Sequence, residues 1–67
     1  MTLPHERRRA LWLTREFLLE LCDREHTPGV PDAVRLKARR MLRHYPEDAV
    51  LDILAARVPE WLGRDEG

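Results

Sequence analysis

The sequence predicts an all-α chain, a small bundle of three helices, and three observations carry that expectation. Apolar residues recur at spacings of three, four and seven, the period of a helix face. No stretch alternates with period two long enough to make a strand. Proline and glycine fall between the periodic segments, where they punctuate helices.

The first helix is expected over about residues 3–23. Thr2 is placed to cap it, Pro4 sits in the first turn, where no N–H is missed, and Glu6 complements the positive end of the helix dipole. Leu3, Ala10, Leu11, Thr14, Phe17, Leu18, Leu21 and Cys22 form its apolar stripe. The run His26-Thr27-Pro28-Gly29-Val30-Pro31 is a turn, because Pro-Gly favours a reversal and two prolines forbid a helix through it. The second helix is expected over 31–45, with Val34, Ala38, Met41, Leu42 and Tyr45 inward and Pro46 ending it. The third is expected over 47–58, with Glu47 and Asp48 at its start and Val50, Ile53, Leu54 and Val58 as its apolar face. Pro59 stops it. Trp61 and Leu62 are expected to fold back onto the core as a short C-terminal turn, and residues 63–67 to fray.

Sixty-seven residues make a single helical domain, 1–67. A chain this short buries only about 60% of what its unfolded form exposes, so it depends on tight packing or on a partner. One cysteine, Cys22, excludes an internal disulfide, and no Cys/His cluster offers a zinc site. No cofactor or metal is expected. No apolar run approaches the roughly 18 residues of a membrane helix, and residues 1–9 do not read as a secretory signal. A lone thiol fits the cytoplasm.

The 12 basic and 12 acidic residues cancel, but they are not evenly placed. Residues 1–22 sum to +1, 23–34 to −2, 35–44 to +5 and 45–67 to −4. The basic middle can attract the acidic end or face an outside partner. Arginine outnumbers lysine 11 to 1, which reads mainly as the codon bias of a GC-rich genome.

The segments ERRRALWLTREFLLEL (Glu6–Leu21) and VPDAVRLKARRMLRHYP (Val30–Pro46) resemble a small proteobacterial family of uncharacterised helical proteins with TREFLLEL-like and ARRxLRHYP-like segments. The resemblance spans about residues 2–46, two thirds of the chain. It departs in the first turn, where the family pattern has an aromatic residue in place of His5 and a threonine in place of Arg8. It implies a bacterial helical protein and brings no activity, cofactor or site residue with it.

Catalytic chemistry has little to work with. The chain lacks serine, asparagine and glutamine. Cys22 closes the apolar stripe of helix one, and a helix C-terminus raises a thiol's pKa. His5, His26 and His44 fall in three different segments. The chain therefore reads as a non-enzyme. Two surfaces stand out instead. On helix one, Trp12 and Leu19 lie seven apart, away from the main stripe, with Arg8 and Arg15 beside them. Helix three or Trp61 packs there, or the patch meets a partner, since tryptophan with arginine is a common hot-spot composition. Arg15 is also placed to stack on Trp12. On helix two, Arg35, Arg39, Arg40 and Arg43 fan over one side with Leu36 among them. That face is solvated, or it binds a protein through Leu36, or it binds nucleic-acid phosphates. Absence of Asn and Gln, the usual adenine readers, weighs against the last. The expected partner is thus a protein or a second copy, with nucleic acid as the alternative and no membrane.

Overall fold

The computed structural model describes residues 2–63. Among the described residues four helices follow in order: α1 (Pro4–Cys22), α2 (Asp32–Leu42), α3 (Asp48–Arg57) and α4 (Pro59–Leu62). Among the described residues there is no strand. The fold class is all-α, as the periodicity implied.

α1 begins where proline can begin a helix, but its cap is not Thr2. The Glu6 carboxylate reaches back to accept the Leu3 N–H at 2.9 Å, the acidic half of a capping box. The Thr2 hydroxyl points instead to the Leu3 carbonyl at 3.4 Å. α1 ends at Cys22, and the chain turns through residues 23–31. Gly29 supplies the turn's positive φ of 85°, a conformation open to glycine at no steric cost.

α2 starts after Pro31, whose carbonyl accepts the N–H groups of Val34 (3.0 Å) and Arg35 (3.2 Å). It stops at Leu42, three residues before the expected end. Pro46 forces the residue before it out of the helical region, and the chain leaves the helix through a short turn at 43–45. α3 ends one residue before Val58, whose ψ of 60° breaks the run. The C-terminal turn is a single helical turn, α4, opened by Pro59. Gly63 is not frayed: it is buried, and its N–H donates to the Pro59 carbonyl at 2.9 Å. A Cβ on Gly63 would stand 2.4 Å from that carbonyl oxygen, so glycine is required there. The remainder of the stretch expected to fray, 64–67, lies outside the described residues.

The chain divides into two compact units. Unit one comprises residues 1–13 with 46–67, that is, the first half of α1 with α3 and α4. Its buried side chains are Leu51 and Ala55, and burying Leu51 contributes on the order of 2 kcal/mol. Leu11, Leu54, Val58 and Leu62 are half-buried around them. The α3 face expected to be inward is partly wrong, since Val50 and Ile53 are exposed. α3 is apolar nearly all round, so its period did not select a face.

Unit two comprises residues 14–45: the second half of α1, the turn and α2. Its buried residues are Leu18, Ala38 and Arg35. Val34 and Met41, expected inward on α2, are exposed, as is Phe17 on α1. The inward line of α2 keeps Ala38 and Leu42 of the expected stripe and takes Arg35 in place of Val34 and Met41. The helix is rolled by about one residue because an arginine occupies its innermost N-terminal position.

Candidate interaction surface

Arg35 is the correction with the largest consequence. Sequence placed it on the exposed basic face of helix two, open to solvent, a protein or phosphates, but it is only 3% exposed. Its guanidinium donates from Nη1 to the Leu21 carbonyl (2.8 Å) and the Thr27 hydroxyl (3.0 Å), and from Nη2 to the Thr27 carbonyl (2.5 Å). Leu21 is in the last turn of α1, which carries no basic residue of its own. The last carbonyls of a helix lack internal partners and carry the negative end of its dipole. Arg35 therefore caps α1 from the next helix. The Thr27 hydroxyl donates to the Glu20 (3.0 Å) and Asp23 (2.9 Å) carbonyls and completes that cap.

A second arginine does similar work in unit one. Arg7 donates to the carbonyls of Thr2 (2.6 Å), Glu60 (3.3 Å) and Trp61 (2.8 Å). Its guanidinium carbon lies 5.8 Å from the Trp61 ring centre, within cation–π range. Trp61 nevertheless stays 64% exposed and does not fold into a core. Neither cap was readable as a motif; the one weak signal was a long helix ending without a basic residue.

The helix-one candidates fall in two groups. Arg8 and Trp12 belong to unit one. Arg8 forms an ion pair with Asp52, and its Nε is buried without a hydrogen-bond partner. The Trp12 indole N–H donates to the Asp48 carboxylate at 3.3 Å, while the ring remains 40% exposed. α3 thus reaches the polar tip of Trp12 and leaves much of its apolar body open. Leu19 and Arg15 belong to unit two, Leu19 exposed and Arg15 half-buried.

The helix-two face survives without Arg35. Leu36 is 45% exposed, and Arg39, Arg40 and Arg43 are exposed around it. Among the described residues these three arginines form no ion pair. An ion pair does form at the start of α2, where Arg24 meets Asp32 at 2.6 Å, but both are largely exposed and such pairs contribute little.

Unit two also carries a feature that sequence reading missed. Glu16, Leu19, Glu20, Asp23 and His26 line an open groove of about 270 Å³. Asp23 accepts from His26 at 2.5 Å and from the Glu25 N–H at 2.9 Å. The His26 hydrogen bond first, then the Glu25 N–H, hold the Asp23 carboxyl below its ordinary value of 3.8. The signal in the sequence is the spacing, since 16, 19, 20 and 23 share one helix face.

Among the described residues no three His, Cys, Asp or Glu side chains come together to hold a metal ion. No helix there is long and apolar enough to cross a membrane. Comparison of the chain with protein-family models, curated proteins and solved structures found no match.

Proposed function

We propose that the chain is a non-enzymatic protein–protein interaction module. One observation carries this reading. Among the described residues eleven large apolar side chains are exposed, while the buried hydrophobic residues number four, two of them alanines. On unit two alone Phe17, Leu19, Val34, Leu36 and Met41 face outward. Single exposed apolar residues are ordinary, but clusters rimmed by charge mark contact surfaces. Leu36 among three arginines has that composition, as does Trp12 beside Arg8.

Nucleic-acid binding is the second reading, supported by the exposed Arg39, Arg40 and Arg43. The burial of Arg35 removes one of its four arginines. What remains is a face of three arginines on a chain of zero net charge, which suits phosphates poorly.

The test is in-cell photocrosslinking of the full chain carrying a photoreactive residue at Leu36, with Glu25 in the turn as control. A discrete protein adduct at Leu36 and none at Glu25 is expected, together with no binding of labelled duplex or single strands in low-salt buffer. Adducts to nucleic acid alone, or no protein adduct at Leu36, would sink the reading.

A further inference from the structure

We infer that the partner is a second copy of the chain, docked through unit two with α1 of each copy lying antiparallel on α2 of the other. The inference rests on the interaction-module reading and names the partner of that surface.

Two faces of unit two match each other. Glu16, Leu19, Glu20 and Asp23 follow spacings of three, one and three on α1 and its end. Leu36, Arg39, Arg40 and Arg43 follow the same spacings on α2. The first face is a leucine among carboxylates and the second a leucine among guanidinium groups. Leu19 and Leu36 are 39% and 45% exposed, so both anchors are open to a partner.

The two faces also point the same way. Arg35 at the start of α2 grips Leu21 at the end of α1. Leu18 and Ala38, one turn further into each helix from that grip, are both buried, so the inferred arrangement of α1 and α2 is an antiparallel hairpin. Leu19 follows buried Leu18, and Leu36 follows buried Arg35. Each leucine is therefore turned about 100° from the inward line, in the same rotational sense along the chain. In an antiparallel pair, equal offsets of that kind face one side of the pair. One side of the hairpin thus carries an acidic strip next to a basic strip.

A two-fold axis running along the helices then lays each acidic strip on a basic one, twice over. Glu16 comes opposite Arg39 and Arg40, Leu19 opposite Leu36, and the contact is isologous, as in closed dimers. All four helices alternate in direction, the arrangement of an up-and-down four-helix bundle. An acidic partner protein would satisfy the basic strip and leave the acidic one idle, and phosphates would meet Glu16 and Glu20. A second copy satisfies both strips together.

The experiment is a charge exchange read by sedimentation equilibrium on the full chain. The wild type is expected at twice 7.9 kDa and to dissociate at about 1 M salt, where screening reaches about 3 Å. The double variants Glu16→Arg/Glu20→Arg and Arg39→Glu/Arg40→Glu each turn attraction into repulsion at both halves, and each is expected to weaken self-association at least ~30-fold. Mixing the two variants restores both halves, so the 1:1 mixture is expected to re-form the dimer. The fourfold variant restores it within one chain and serves if either double variant fails to fold. A wild type that stays at 7.9 kDa at several hundred micromolar, a dimer indifferent to both exchanges, or a fourfold variant or mixture that stays monomeric overturns the inference. If the Leu36 adduct in cells carries a different protein while the wild type is monomeric, the inference fails and the interaction-module reading stands.

Discussion

Replacing Arg35 with alanine tests the role of a buried cation held by neutral groups. The side chain makes three hydrogen bonds, to the Leu21 carbonyl, the Thr27 hydroxyl and the Thr27 carbonyl. Hydrogen bonds from a charged donor are worth roughly 1.5–3 kcal/mol each, which sets a gross loss near 5 kcal/mol or above. Against that stands the relief of not burying a guanidinium, which in comparable sites amounts to several kcal/mol. Two things prevent cancellation. The Leu21 carbonyl at the end of α1 loses its cap, and truncation of a side chain only 3% exposed leaves a void. The net destabilisation is expected at about 2–4 kcal/mol. A small single core rarely supplies more than about 3–5 kcal/mol in total, so the variant should stand near its unfolding midpoint. Urea titration followed by far-UV circular dichroism measures the effect, and Arg35→Lys, which keeps the charge and loses the fork, should recover only part of it. A midpoint for Arg35→Ala within about 0.5 kcal/mol of wild type would refute the capping role.

Three other outcomes are expected. Gly63→Ala places a Cβ 2.4 Å from the backbone oxygen of Pro59; α4 must open, at a loss of about 1–2 kcal/mol, and Trp61 emission should shift, whereas an unchanged melting curve would contradict the close approach. A double-mutant cycle of Arg8→Ala and Asp52→Ala should give a coupling of about 0.5–1 kcal/mol, since both side chains are partly exposed; Asp52 has a further interaction, so its single substitution should cost more than the coupling. Asp23 titrates below 3.8, so its hydrogen bond with His26 favours the folded state above that pH and the contribution is lost as pH falls through the depressed value. In His26→Ala the Asp23 carboxyl, followed by NMR, should titrate closer to 3.8; no upward movement would show that the histidine is not the cause.

The helices and their breaks were legible because proline acts on the local backbone, and local rules are what a sequence states most directly. Pro4, Pro31, Pro46 and Pro59 each stand at or within a residue or two of a helix boundary in the structure. Which side of each helix turns inward was less legible. α3 is apolar on several sides, so Leu51 and Ala55 could not be told from Val50 and Ile53. On α2 a rule of burial misled: arginine is almost never fully buried unless paired, and here the pairing is with carbonyls a helix away. Leu36 was readable as the apolar residue out of place, and it is exposed. The acidic strip was equally readable by spacing, whereas the grip of Arg35 on the end of α1 required coordinates.

The way the two units divide the sequence bears on the order in which they form. Unit two is one continuous stretch, and its cap joins residues 8 and 14 positions apart. Unit one is closed by pairs 36, 44 and 54 apart: Trp12 with Asp48, Arg8 with Asp52, Arg7 with Trp61. Closing the 44-residue separation instead of the 14-residue one costs about 1 kcal/mol more in chain entropy, and contacts close in sequence tend to form first. The hairpin can therefore assemble while the flanking segments are still searching for one another. Loss of structure is expected to run the other way, releasing α3 and α4 first. The last piece standing would be the hairpin that carries both charged strips, so association and late-stage unfolding are expected to be linked through the same thirty-two residues, 14–45.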